Sequence, residues 1–216
     1  MAVELPDIEH VVRVIAQTAV DNERYFGDLD SVVGDGDFGY SLARGFEIVL
    51  ADWDSFDRAD ARTFLQKISM VITGRIGGTS GPIWGTGFLR AAMAVRDRET
   101  LDGATVVAML DGAIEGIKVR GGASLGEKTL LDALVPLRDA VAQGTAAGAT
   151  SQEVVDTAAT AARTSAEATS ALQAMRGRAA YTGERSIGSP DAGAIAIAVI
   201  AEQVAAHWPE RPSART

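Results

Sequence analysis

The chain has 216 residues, 47% of them apolar, a formal net charge of −9 and no cysteine. That length suits a single domain, residues 1–216, with an ample core; the charge argues against a nucleic-acid partner, and the missing cysteine excludes disulfides and thiolate chemistry. No apolar run reaches the roughly 18 residues of a membrane span, and the acidic start Met1-Ala2-Val3-Glu4-Leu5-Pro6-Asp7 does not read as a signal peptide, so a cytoplasmic protein with no membrane partner is expected.

Pro6 suits the first turn of a helix, and Ile8, Val11, Val12, Ile15 and Ala19 then recur at helical spacing. His10 lies on that helix and reads as a surface or satisfied histidine. A second helix is expected from about Tyr40 to Leu50. Phe64, Ile68, Val71 and Ile72 mark a third, which Gly77-Gly78 ends. Thr79-Ser80-Gly81-Pro82 starts a fourth, with Trp84, Phe88, Ala91 and Val95 on its apolar face. The fifth begins near Asp102 and carries Val106, Val107, Leu110, Ile114 and Ile117. Leu130, Leu134, Leu137 and Val141 line the sixth. Gln143 to Ala149 is a Gly/Ala linker, and Thr150-Ser151-Gln152-Glu153 is a capping box for an alanine-rich seventh helix running to about Met175. Ser189-Pro190 opens the eighth, with Ile195, Val199, Ile200 and Val204 inward. The tail, residues 209–216, is expected to fray. No run reads as a strand, so the fold class is all-α, an eight-helix antiparallel up-and-down barrel or bundle.

Chemistry concentrates in the loops. Asp30, Asp35 and Asp37 lie within ten residues of Gly34, Gly36 and Gly39. Three carboxylates brought together repel one another unless a cation sits among them. Hard oxygen donors without Cys or His suit Mg²⁺, and the start of the following helix offers N–H donors to an anion. A solvated acidic turn capping a helix is the alternative. Gly34 to Gly39 formally matches G-x-G-x-x-G, but two of its variable positions are Asp and no βαβ alternation surrounds it. An EF-hand fails because Gly39 stands where a third ligand belongs and Phe46 where the bidentate Glu belongs. Gly121-Gly122-Ala123-Ser124-Leu125-Gly126-Glu127-Lys128-Thr129 misses P-loop spacing, since Glu127 intervenes and no strand precedes it. Thr79 and Ser80 either cap their helix or hold a phosphate. The polar run Arg176–Gly193 is longer than a compact domain keeps without use.

If the helices alternate up and down, the loops before the second, fourth, sixth and eighth share one end. Those loops are Asp30–Gly39, Gly77–Pro82, Gly121–Thr129 and Arg176–Gly193. The sequence therefore predicts a site at one rim of the bundle.

The same segments resemble the nucleotide-binding L-type (DhaL) subunit of dihydroxyacetone kinases. The matching stretches are Gly34-Asp35-Gly36-Asp37 with Gly39, Gly78-Thr79-Ser80-Gly81-Pro82, Gly126-Glu127-Lys128-Thr129-Leu130, Arg176-Gly177-Arg178-Ala179, Gly183-Glu184-Arg185-Ser186-Ile187-Gly188 and Pro190-Asp191-Ala192-Gly193. The resemblance implies an eight-helix barrel that binds ADP or ATP through two Mg²⁺ ions held by Asp30, Asp35 and Asp37. It implies phosphate contacts at Phe38, Gly39, Tyr40, Ser41, Thr79 and Ser80, and further nucleotide contacts at Gly121, Leu130, Arg178, Asp191, Ala192 and Gly193. It also implies a division of labour. A ketose-binding K-type subunit holds the sugar through a histidine, the L part delivers the phosphoryl group, and in some systems a phosphotransferase-system phosphocarrier, the M subunit, recharges ADP. His10 and His207 lie far along the chain from all four loops, consistent with a sugar held elsewhere. Catalytic roles fall to Arg178 with the three aspartates. Phe38 stands where the family has His, Tyr40-Ser41 where Thr-Asn is usual, and Ser189 and Ala192 where His and Pro are common. Either donor and either dihydroxyacetone or another small ketose fits these residues, as does a nucleotide-sensing module without transfer activity.

Overall fold

Helices make up nearly all of the regular structure in the computed structural model, which describes residues 2–96, 98 and 100–209. Nine α-helices follow one another among the described residues: α1 (Leu5–Asp21), α2 (Glu23–Ser31), α3 (Phe38–Ala51), α4 (Ala61–Arg75), α5 (Ser80–Ala94), α6 (Gly103–Gly121), α7 (Leu131–Ala146), α8 (Ser151–Ala168) and α9 (Ala192–Ala206). Short 3₁₀ turns occupy Trp53–Ser55, Thr169–Ala171 and Arg178–Ser186. Two two-residue strands, β1 (Ala2–Val3) and β2 (Leu101–Asp102), pair antiparallel with Val3 opposite Leu101. The all-α expectation holds, and the eight expected helices correspond to α1 and α3–α9. The ninth, α2, is the difference. Its only fully buried side chain is Phe26, and one apolar anchor leaves no periodicity to read. The alanine-rich helix also ends at Ala168 rather than near Met175. The expected frayed tail lies outside the described residues beyond Pro209.

Side-chain caps set several starts. Asp60 accepts from the Thr63 N–H at 2.6 Å before α4, Asp102 from the Thr105 N–H at 2.7 Å before α6, and Asp191 from the Ala194 N–H at 2.7 Å before α9. The Thr150–Glu153 box opens α8 as the sequence predicts. The helices pack in a closed cycle, α1 on α3, then α3 through α9 each on the next, and α9 back on α1, while α2 lies against α3 and α9. Bidentate pairs reinforce the cycle: Arg138 reaches Asp111 at 2.6 and 2.9 Å, and Arg163 reaches Glu202 at 2.6 Å through both contacts.

The densest core, Leu42, Phe46, Val49, Phe64, Ile68 and Ile72, joins α3 to α4 with no exposed surface. Phe46 meets Trp84 and Phe88 edge-on, each at 6.3 Å, which seats α5 against α3. Inside the cycle an apolar cavity of about 320 Å³ is lined by Val12, Trp84, Phe88, Leu110, Leu134 and Ile197 among others. No helix among the described residues is long and apolar enough to cross a membrane.

Candidate functional site

The site begins where α2 crosses α3. A Cβ on Gly39 would run into the Glu23 carbonyl oxygen and lie 2.5 Å from the Gly27 nitrogen, so only glycine lets the backbones meet this closely. That crossing carries Asp30, near the end of α2, to the first turn of α3. The intervening turn then wraps the Asp30 carboxylate. The Gly36 N–H donates to Asp30 Oδ2 at 2.8 Å, from a left-handed φ of +76° that favours glycine, and a Cβ on Gly34 would collide with the same carboxylate. Asp30, Asp35 and Asp37 each present an oxygen within 4.8 Å of the others. Asp30 is half-buried, while Asp35 and Asp37 are exposed.

Arg178 comes to this cluster from a loop more than 140 positions later in the chain. Its Nη1 forms an ion pair with Asp35, and Nη2 lies 3.7 Å from Asp37 Oδ2. A guanidinium thus supplies positive charge where the carboxylates converge. The donor set is hard and anionic, which fits Mg²⁺. The α3 N-terminus starts directly behind it, and the first N–H groups of a helix have no partners within the helix.

Phe38 is turned to packing: its ring lies 6.2 Å from that of Phe26, so its side chain wedges the α2–α3 junction and only its backbone is left for an anion. Gly39 is buried in the crossing itself. Tyr40 is exposed, with the Arg44 guanidinium 5.1 Å from its ring. Ser41 faces the second loop, its Oγ 3.9 Å from where a Gly77 Cβ would lie. In that loop Gly78 takes φ +63° and Thr79 precedes α5, yet the Thr79 side chain makes no capping hydrogen bond. The capping role that the sequence allowed is not used, and the hydroxyl is left for another acceptor. Gly121, at the end of α6, abuts the first turn of α5, where a Cβ would sit 3.1 Å from Ile83 Cδ1.

The third and fourth loops are bound tightly to each other. Asp132 Oδ1 and Oδ2 accept from the Gly126 and Thr129 N–H groups at 2.5 and 2.7 Å, which shapes the turn before α7. Lys128 is buried, and its Nζ donates to the carbonyls of Leu172, Ser186 and Ser189. The Glu127 carboxylate takes Arg176 at 2.7 and 2.9 Å; that partner and the Ser124 N–H hold its carboxyl below the usual range. Leu130 stands at the start of α7 against Gly193, where a Cβ would come within 3.3 Å of the Leu130 Cβ. Asp191, Ala192 and Gly193 form the first turn of α9, with the Asp191 N–H donating to Thr169 Oγ1 at 2.8 Å. Burial pushes the Asp191 carboxyl up to about 7, with Asp132 adding to the rise and the Ala194 N–H, Lys128 and the Gly193 N–H opposing it.

The structure thus brings Asp30, Asp35, Asp37 and Arg178 into one cluster, and Leu130 with Asp191–Gly193 into another. The loops connect around one end, first to second through Ser41 and Gly77, second to third through Ile83 and Gly121, third to fourth through Lys128, and fourth back to first through Arg178. Sequence reasoning passes over Asp132 and Thr169, and quotes Glu127, Lys128, Arg176 and Ser186 in the matching stretches without giving them a role. The signal available for that role is a lysine in a glycine-rich turn.

The DAK2 domain family matches residues 32–206. This chain belongs to that family. Relatives of the DAK2 chain include the ADP-binding subunit DhaL of PEP-dependent dihydroxyacetone kinase 1 of Listeria innocua, 35% identical over 180 residues, 83% of this chain and 85% of the relative. The corresponding DhaL subunit of Escherichia coli is 33% identical over 181 residues, 84% of this chain and 86% of the relative. The L-erythrulose 1-kinase of Mycolicibacterium smegmatis is 37% identical over 205 residues, 93% of this chain and 35% of that protein. Among solved structures, the dihydroxyacetone kinase from C. freundii in complex with AMP-PNP and Mg²⁺ superposes with a TM-score of 0.75 at 25% identity, covering 95% of this chain and 34% of that one. The DAK2 chain therefore spans about a third of the erythrulose kinase and of the C. freundii enzyme, and most of the DhaL subunits.

Proposed function

We propose that this chain is the Mg²⁺·nucleotide-holding, phosphoryl-donating half of a small-ketose kinase, acting with a separate ketose-binding K-type subunit. The observation that carries the reading is the meeting of Asp30, Asp35 and Asp37 within 4.8 Å, beside the α3 N-terminus and under Arg178. The named relatives, DhaL subunits and erythrulose kinases, support the same class of reaction. In this reading the three aspartates hold two Mg²⁺ ions. When bound, these ions would neutralise charge on the β- and γ-phosphates.

The chain's own residues do the rest. The Phe38, Gly39 and Tyr40 N–H groups at the start of α3, the Ser41 hydroxyl, and the Thr79 and Ser80 hydroxyls at α5 fix phosphate oxygens. Leu130 and the Asp191–Gly193 turn bound the nucleotide on the far side. Arg178 adds positive charge to the transferring group. Phosphoryl transfer needs mainly this positioning and charge stabilisation. Nothing at the rim offers a histidine to tether a ketose, because His10 lies on α1 and His207 follows α9.

A partner is supported by the rim surface. Val32, Leu125, Met175, Tyr181 and Ile187 are exposed large apolar residues of these loops, Tyr181 at 90%. Side chains of this kind are open to a docking partner. The reading includes a cytoplasmic location, and leaves ATP or ADP recharged by an M-type phosphocarrier as donors to be separated by assay.

The test is reconstitution. The purified chain is mixed with a K-type subunit, dihydroxyacetone or erythrulose, Mg²⁺, and either ATP or a phosphocarrier system. Ketose phosphate forming only when both subunits are present is the expected result. Nucleotide binding with no transfer to any ketose under either donor would replace this reading with a nucleotide-sensing module.

A further inference from the structure

The loop that carries Arg178 runs from Leu172 to Asp191 and has little apolar burial beyond Ala174 and the half-buried Leu172. Met175, Tyr181 and Ile187 face solvent. Gly177 and Gly183 take φ of +63° and +60°, which adds freedom on both sides of Arg178. Polar contacts hold the loop: within it the Ala174 N–H donates to Ser186 Oγ at 2.9 Å, at its end the Gly188 N–H donates to Ser170 O at 2.8 Å and the Asp191 N–H to Thr169 Oγ1 at 2.8 Å, and two adjacent residues from the third rim loop add to these. Lys128, 2% exposed, donates from Nζ to Leu172 O at 3.1 Å, Ser186 O at 2.5 Å and Ser189 O at 2.6 Å. The first acceptor lies at the start of the loop and the other two near its end, so one ammonium draws the two ends together. Glu127 grips the next residues, its carboxylate taking Arg176 and its carbonyl accepting from the Met175 N–H at 3.1 Å.

An ammonium has three donors, and all three of Lys128 are spent on these carbonyls. It therefore has none left for a phosphate, unlike the lysine of a P-loop. Lys128 is also the one non-glycine residue with positive φ among the described residues, at +61°. A lysine held in that disfavoured backbone state is over-determined by its surroundings.

We propose that the Glu127–Lys128 turn is a clamp that aims Arg178 at Asp35 and Asp37, with Lys128 a positioning residue that acts through Arg178. The proposal rests on the reading of the rim as a Mg²⁺·nucleotide site. Charge-assisted hydrogen bonds to the two ends of the loop fix its span, and the fixed span sets how far the guanidinium reaches across the rim.

The test is a double-mutant cycle read by Mg²⁺·ADP binding, with Lys128→Met, Arg178→Ala and the pair, joined to hydrogen exchange of the loop amides. Lys128→Met is expected to weaken binding about as much as Arg178→Ala, roughly tenfold, and to add less than about twofold once Arg178 is alanine, because residues acting through one another are not additive. The Met175 and Gly188 amides should exchange about tenfold faster in Lys128→Met while those of α3 and α4 hold, which marks local opening. Binding unchanged in Lys128→Met, or losses that multiply in the double variant, would overturn the proposal. If Lys128→Met does not fold, the exposed Arg176→Ala takes its place. It is expected to weaken binding about threefold with Arg178 present and to have no effect without it; an equal loss in both backgrounds overturns the clamp. A wild-type chain that binds no Mg²⁺·ADP contradicts the functional reading instead, and the exchange measurement then decides on the clamp alone.

Discussion

Between Asp30 and Phe38 the rim consists of a glycine turn with three carboxylates whose oxygens lie within 4.8 Å and whose nearest countercharge is borrowed from Arg178. Between Glu127 and Asp191, on the other side, charges are met locally: Lys128 by three carbonyls, Glu127 by Arg176, Asp132 by two N–H groups. In the proposed reading the first region receives a cation, and the second, already satisfied, serves to position. A charge cluster with few local partners is where a ligand is to be sought, while a satisfied polar network is where rigidity is to be sought.

The largest effect is expected at Arg178, which joins the two regions. Arg178→Ala should lower turnover with saturating nucleotide and partner by about 10³–10⁵-fold, the range for an arginine that stabilises a transferring phosphoryl group; near-normal turnover in a steady-state assay would remove that role. Next is the acidic turn. Asp35→Asn should weaken Mg²⁺-dependent nucleotide binding by at least about 100-fold, since even the outer partners of metal ligands act on the 10–100-fold scale. The helical circular dichroism should stay unchanged, because Asp35 is exposed and holds no helix. Gly39→Ala tests the crossing that delivers Asp30. Its Cβ meets backbone on α2, so α2 must shift, and overpacking of this kind destabilises by about 1–3 kcal/mol; thermal melting alongside a nucleotide titration should show both losses together.

A pH dependence probes the other side. The Asp191 carboxyl is raised from 3.8 to about 7 in the fold. Between those values the folded chain binds more protons than the unfolded one, so this group's contribution to stability falls as pH rises from about 4 and levels off above about 7. Asp191→Asn keeps the acceptor for the Ala194 N–H and removes the titration. Its melting temperature should therefore fall less than that of the wild type between pH 5 and pH 8, and parallel profiles would show that Asp191 is ordinary.

Much of this was legible in the sequence because helix periodicity and loop chemistry are local signals. Ile8, Val12 and the Thr150–Glu153 box announced their helices, and the order of polar loops announced a shared rim. Helix α2 was not legible, since Phe26 alone anchors it and its reason for being there is the Gly39 crossing, a contact between backbones that composition does not display. Lys128 was not legible either. Its partners are carbonyls 44 to 61 positions away, which carry no side-chain signature. Phe38, expected among the phosphate contacts, turns out to pack on Phe26, which explains how an apolar residue is accommodated where the family has histidine.

In the proposed function the three aspartates hold nucleotide through metal. Calorimetric titration of ADP into the purified chain, once with Mg²⁺ and once with EDTA, tests it most directly. One site per chain with Mg²⁺ and no measurable binding with EDTA is the predicted result. Equal affinity in both would contradict it and return Asp30, Asp35 and Asp37 to a solvated acidic turn.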